Sequence, residues 1–241
     1  VTIEAYIELH MKRAFGTPSA QSQLETVGNY IGIDIDASPD HLSMSNTKTR
    51  EAMRALLDEY DLPVLDVSTP LPPDAKRLVY APISDDNPAV PVVNGRRIVG
   101  CGSWQALTVE PLLSYPCCLL AHAAPAPSKT SACCMQWMAS YAITHRRPLY
   151  FCRTGAGATT VTHVDATMAD QPDMASHYGY WQGCCNASLR WRACSGQQVH
   201  AATRCPKRVA GVAGTHVSMY QRLLMYEARL GRLPGEIIMP C

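Results

Sequence analysis

The sequence predicts an α+β fold of mixed helices, short strands and hairpins, with an irregular, cysteine-rich second half. Three observations lead there. Of the 241 residues 47% are apolar, enough to bury one sizeable core or two modest ones. Apolar residues recur at helical spacing in some stretches and alternate with polar ones in others. Composition also changes near Pro116: residues 1–116 carry 9 Lys/Arg and 15 Asp/Glu, and residues 117–241 carry 12 and 5. Ten of the eleven cysteines and six of the eight histidines lie beyond that point. The split suggests two domains, an acidic α/β domain over 1–116 and a basic, Cys/His-rich domain over 117–241.

Taken in order, Thr2 caps a helix with Ile3, Ile7, Met11 and Phe15 on one side, and Gly16 and Pro18 end it. A second helix is expected over about 19–27. The alternation in 30–36, Y-I-G-I-D-I-D, predicts a strand. Ser45 or Thr47 opens a helix with an apolar stripe of Met53, Leu56, Leu57 and Tyr60, and Pro63 stops it. Residues 64–67 and 77–81 read as strands on either side of the proline-rich stretch 70–73. Residues 90–93 and 96–99 flank Asn94-Gly95, a pair that accepts the positive φ angles of a two-residue turn, and so predict a β-hairpin.

In the second half, A-H-A-A-P-A-P-S over 121–128 reads as a loop or linker. A helix is expected over 132–143, with strands over 149–153, 159–164 and 189–193. Thr215 or Ser218 opens a last helix that groups Met219, Tyr220, Leu223, Leu224 and Tyr226, and Gly231 and Pro234 close it. No apolar run is long enough to span a bilayer, and no basic, apolar and small-residue leader opens the chain. Many cysteines without a leader point to a reducing intracellular compartment or a virion, with no membrane partner.

The strongest chemical cluster is Cys185, Cys194, His200 and Cys205, in the pattern C-x8-C-x5-H-x4-C, with Cys184 beside it. Three thiolates and an imidazole are the ligand set of tetrahedral zinc. Its second part resembles the end of a CCHC zinc knuckle, although the opening C-x2-C of that motif is absent. Arg190, Trp191, Arg192, Arg204, Lys207 and Arg208 surround it and offer cations for phosphate and an aromatic face for a base. Buried free thiols are the competing reading.

Other motifs are shorter. Gly100-Cys101-Gly102-Ser103-Trp104 resembles the nucleophile segment C-G-S-C-W of papain-like proteases, lacking its second cysteine; a packed hairpin end is the alternative. Ile33-Asp34-Ile35-Asp36, with Asp40 beyond it, places two carboxylates on one side of a strand, where a divalent cation can bridge them to phosphate. With Ile31 and Gly32 this stretch resembles the first strand of ribonuclease-H-like enzymes. Gly155-Ala156-Gly157 reads as a hairpin turn rather than a phosphate loop.

The expected function is a non-catalytic structural or assembly component of a larger particle, a virus-like capsid or a ribonucleoprotein, with other protein chains as partners. One alternative is a zinc-stabilised nucleic-acid-binding module. The other is a metal-dependent or thiol enzyme that relies on Asp34 or Cys101.

Overall fold

The computed structural model describes residues 27–37, 41–152, 160–167, 171–172, 175–184, 187–199 and 204–227. The helices expected before residue 27, the Gly155-Ala156-Gly157 turn and the close of the last helix at Gly231 and Pro234 lie outside them. The described elements are β1 (Val27–Tyr30), β2 (Ile33–Ala37), β3 (His41–Ser45), α1 (Thr47–Glu59), α2 (Ala75–Val79), α3 (Gly95–Thr108), a 3₁₀ turn (Pro111–Leu113), α4 (Ser114–Leu120), α5 (Lys129–Thr144), β4 (Leu149–Cys152), β5 (Thr160–Ala166), β6 (Ala175–Cys184), β7 (Ala187–Val199) and α6 (Arg204–Glu227). The strands form two antiparallel sheets, ordered β1-β2-β3-β4 and β5-β6-β7. This is the mixed α+β class that the sequence predicts.

The alternating stretch 30–36 is part of a hairpin and not one strand. Ile31 and Gly32 take φ angles of 51° and 80°, and β1 turns back into β2 across them. Glycine supplies one positive φ without strain, and Asn29 Oδ1 accepts the Gly32 amide at 3.2 Å to close the turn. After β3, Asn46 caps α1 by accepting the Thr49 amide at 3.0 Å, and Met53, Leu56 and Leu57 are buried as their spacing requires.

Two expected strands are helices. Asn94 is the N-cap of α3: its Oδ1 accepts the Arg97 amide at 3.2 Å, so the asparagine that suits a turn starts a helix. The residues beyond Asn94 decide between the two uses, because Ile98, Val99, Gly102, Gln105 and Ala106 are buried at helical spacing. Residues 77–81 likewise fall largely in α2, where Ala75 and Val79, four apart, face inward. Residues 64–67 form no strand; the Leu65 amide donates to Ser140 Oγ at 3.0 Å.

The helix expected over 132–143 is α5, started three residues earlier by Ser128, whose Oγ accepts the Ser131 amide. β4, β5 and β7 contain most of the three strands expected after it. α6 begins at Arg204, well before Thr215. Its inward positions, Ala210, Gly214 and Ser218, are small, so apolar periodicity is silent there.

A single apolar cluster joins α1, α3, α4 and α5 and runs from Met53 to Ile143. Burial of such side chains stabilises by about 25 cal/mol per Å² of apolar surface. Pro116 lies buried inside α4, so the change of composition occurs within this cluster.

Candidate nucleic-acid cleft

The three-stranded sheet meets the helical core along β7. Trp191 is buried there and donates its indole N–H to the carbonyl of Ala106 near the end of α3. Beside it His122 Nε2 lies 3.1 Å from Ser195 Oγ, and Cys118 of α4 lies 3.6 Å from the same hydroxyl. These contacts hold one edge of the sheet. Away from that edge, a cleft of about 880 Å³ separates it from the helices.

Strand alternation decides what faces this cleft. The register sets His163 of β5 opposite Trp181 of β6, and Trp181 opposite Trp191 of β7, one row of rings across the sheet. Thr162 and Val164 project from the other face, against Gly214 of α6. The His163 and Trp181 rings lie 5.5 Å apart, and Trp181 remains 37% exposed with its indole N–H donated to Ser188 Oγ at 2.7 Å. Tyr115, Tyr141, His145 and Arg147 line the helical wall. Tyr115 meets His177 edge-on at 5.5 Å, and Tyr141 stacks on His145 at 4.0 Å.

Glu110 also lines the cleft and is almost buried. Burial raises its carboxyl above the usual range, more than a hydrogen bond from the Leu112 backbone and the nearby Arg50, His145 and Arg147 lower it. The arrangement can stack planar rings and offer a guanidinium to an anion.

Of the residues expected to hold zinc, Cys194 alone has its side chain among those described. Among the described residues no three His, Cys, Asp or Glu side chains gather as metal ligands. Cys194 lies within β7, opposite Tyr178 of β6. Cys185 and His200 lie outside the described residues, as does the side chain of Cys205, and the expectation of a zinc-stabilised module is withdrawn. Cysteine richness stands, and none of the six cysteines described in full forms a disulfide.

Of the residues expected to meet nucleic acid, Arg190 and Arg192 are exposed on β7, and Lys207 and Arg208 are exposed on the first turns of α6. Arg204 starts that helix, its side chain outside the description. Trp191 is corrected: its indole is fixed at the back of the cleft, and Trp181 presents the accessible ring. Sequence reasoning missed Trp181, since it places no strand over 175–184, and it singled out neither His145 and Arg147, just after α5, nor His163 in the strand expected over 159–164. The signal was Tyr178, Gly179, Tyr180 and Trp181, a ring-rich run typical of strands.

The enzyme motifs are occupied by structure. Cys101 lies within α3, not at a hairpin end, and burial raises its thiol. Cys117 and Cys134 are pushed up by burial to about 12 and about 11, so both stay protonated at neutral pH. Asp34 accepts the Thr47 amide at 3.0 Å and the Asn29 side-chain amide at 2.7 Å. Burial would raise its carboxyl, but these bonds and Lys48 together bring it below its ordinary value. No protein-family profile matches this sequence, and no curated protein matches it significantly.

Proposed function

We propose that the protein is a non-catalytic component of a ribonucleoprotein-type particle, in a reducing compartment or a virion, and that it holds single-stranded nucleic acid in the cleft. The cleft carries this reading: Trp181 and His163 offer open ring faces, and Arg147 stands on the opposite wall. Unpaired bases stack on such faces whatever their identity, at about 1–3 kcal/mol per base. Arg190, Arg192, Lys207 and Arg208, all exposed, add cations along β7 and at the start of α6 for further phosphates.

The non-catalytic part is supported by the protonated thiols Cys117 and Cys134 and by the use of Asp34 as a hydrogen-bond acceptor for the backbone. Leu107 and Leu112, 67% and 60% exposed next to the sheet, support coverage by other chains of the particle. No described helix is long and apolar enough to cross a membrane.

Fluorescence anisotropy with a short labelled single-stranded RNA tests the reading. Wild-type protein should bind with an affinity that falls steeply with salt, and Trp181→Ala should weaken binding by about ten-fold or more. Binding that is insensitive to Trp181→Ala and to salt would refute the cleft as the site.

A further inference from the structure

Where α4 meets β7, three groups with exchangeable protons lie in a row. Cys118 and His122 are four residues apart, and Ala121 between them keeps helical angles of −58° and −30°, so their side chains share a face. Ser195 of β7, opposite His177 of β6, reaches that face. Its Oγ lies 3.6 Å from the Cys118 sulfur and 3.1 Å from His122 Nε2. In this row the thiol can donate to the hydroxyl and the hydroxyl to the imidazole, the side chain that most often serves as a base. His122 is exposed, and its ring meets Tyr80 at 5.8 Å and His177 at 6.4 Å, both edge-on.

The row borders a second cavity, of about 420 Å³, whose lining includes Ser103, Cys117, Cys118, His122, Arg192 and Ser195. Arg192 is exposed and is the one Lys, Arg, Asp or Glu of that lining, so the cavity favours an anion. The other thiols are placed differently. Cys117 and Cys134 are buried and stay protonated, and Cys133 is exposed on α5. Cys118 is half-buried, at the cavity and next to the hydroxyl.

We propose that Cys118 is a modification site, at which a small anionic disulfide entering this cavity forms a mixed disulfide with the chain. Cys118 passes its proton to Ser195 Oγ as the hydroxyl passes its own to His122 Nε2. The thiolate attacks one sulfur of the incoming disulfide; a new S–S bond forms, the old one breaks, and the departing thiolate takes up the proton from the imidazolium. Cys118 is oxidised and one half of the reagent is reduced. Each chain reacts once, so the step is a modification and not a turnover. This chemistry goes beyond the nucleic-acid reading and does not depend on it.

Incubation of the wild-type chain with glutathione disulfide, followed by peptide mass spectrometry, reads the rate at each cysteine. Cys118 should be modified faster than the exposed Cys133 by about ten-fold or more, while Cys117 and Cys134 stay unmodified and report an intact fold. His122→Gln and Ser195→Ala should each slow Cys118 by about ten-fold or more with Cys133 unchanged. Ser195→Thr, which keeps the hydroxyl, should restore part of the rate. Cystamine, a cationic disulfide, should react more slowly at Cys118 relative to Cys133, and Arg192→Gln should narrow that difference by about two- to five-fold.

Cys118 reacting no faster than Cys133, or at the wild-type rate in both His122→Gln and Ser195→Ala, would overturn the site and its relay. Equal rates for glutathione disulfide and cystamine at wild-type Cys118, each measured against Cys133, would overturn the anionic ligand.

Discussion

The helical core and the three-stranded sheet with α6 are built on different principles. In the core the fully buried side chains are mostly large and apolar: Met53, Leu57, Ile98, Leu113, Leu119, Leu120, Met135, Met138 and Ile143. In the sheet unit the described buried residues are small or polar: Ala175, Ala187 and Ala210, with Ser176, His177, Gln182 and Ser218, and Trp191 as the one large ring. The core draws its stability from area removed from water, which tolerates substitution by any residue of similar volume. The sheet unit relies on directional bonds and close backbone approach. Thr162 and Gln182 donate to Ser218 Oγ at 2.8 and 3.4 Å, and Ser218 in turn donates to the Gly214 carbonyl at 3.0 Å. A region held this way leaves rings such as Trp181 exposed, and the cleft opens where the two kinds of construction meet.

The largest effect should come from the core. Met138 is fully buried against Gly102 and Cys117, and Met138→Ala should cost about 2–5 kcal/mol in urea unfolding. A loss under about 1 kcal/mol would mean that the site collapses around the deletion and that the core is less tightly packed than its burial indicates.

Next in size is Ser218→Ala, which leaves the Thr162 hydroxyl and the Gln182 amide without their shared acceptor at a cost of about 1–3 kcal/mol. Native-state hydrogen exchange should localise the loss to β5, β6 and α6, with α1, α3 and α5 protected as before. Equal loss of protection everywhere would erase the contrast and make the chain one cooperative unit.

Asn94→Ala should cost about 1 kcal/mol through the lost cap of α3, while Asn94→Asp should restore most of it. Thermal melts monitored by helical ellipticity read both effects. A hairpin at Asn94-Gly95 would instead make Asn94→Gly the best-tolerated change and leave helical content untouched.

The smallest effect is a pH dependence at the boundary. Arg50 of α1, Tyr141 of α5, and His145 and Arg147 after α5 face Glu110, and burial raises its carboxyl above the ordinary 4.5 in the folded chain. The folded state therefore holds more protons than the unfolded one between that value and its own, and stability falls as pH rises through this window. Glu110→Gln should remove the fall and be the more stable protein at neutral pH, as read from urea midpoints across the acid range. A variant less stable at neutral pH would show that the surrounding cations outweigh burial.

What could be read from the sequence obeys the same division. α1 and α5 were legible because apolar residues at helical spacing are what an apolar core demands, and Met53, Leu56 and Leu57 announce it. α3 was misread because Asn-Gly suits both a hairpin turn and a helix cap, and only the burial of Gln105 and Gly102 along one face resolves the choice. The early start of α6 was hidden because Ala210 and Gly214 carry almost no side chain, so no periodicity marks the face that packs. The candidate cleft was the least legible part. Its rings come from β5, β6, α4 and α5, and its arginines from the turn after α5 and from β7, and no local spacing encodes their meeting. The cysteines drew attention in the sequence by their number, yet those described in full serve as small packed or surface residues.

A Cβ at Gly214 would lie 2.4 Å from the Val164 methyl, so α6 rests on β5 with no spacer between them. Val164 and His163 are neighbours on opposite faces of that strand, and His163 fronts the cleft. Any side chain acquired at position 214 therefore acts as a wedge behind a panel: it displaces the strand and tilts the ring on the far side. The geometry of the cleft is in this sense set from behind, and substitutions that never reach the cleft alter the placing of its rings.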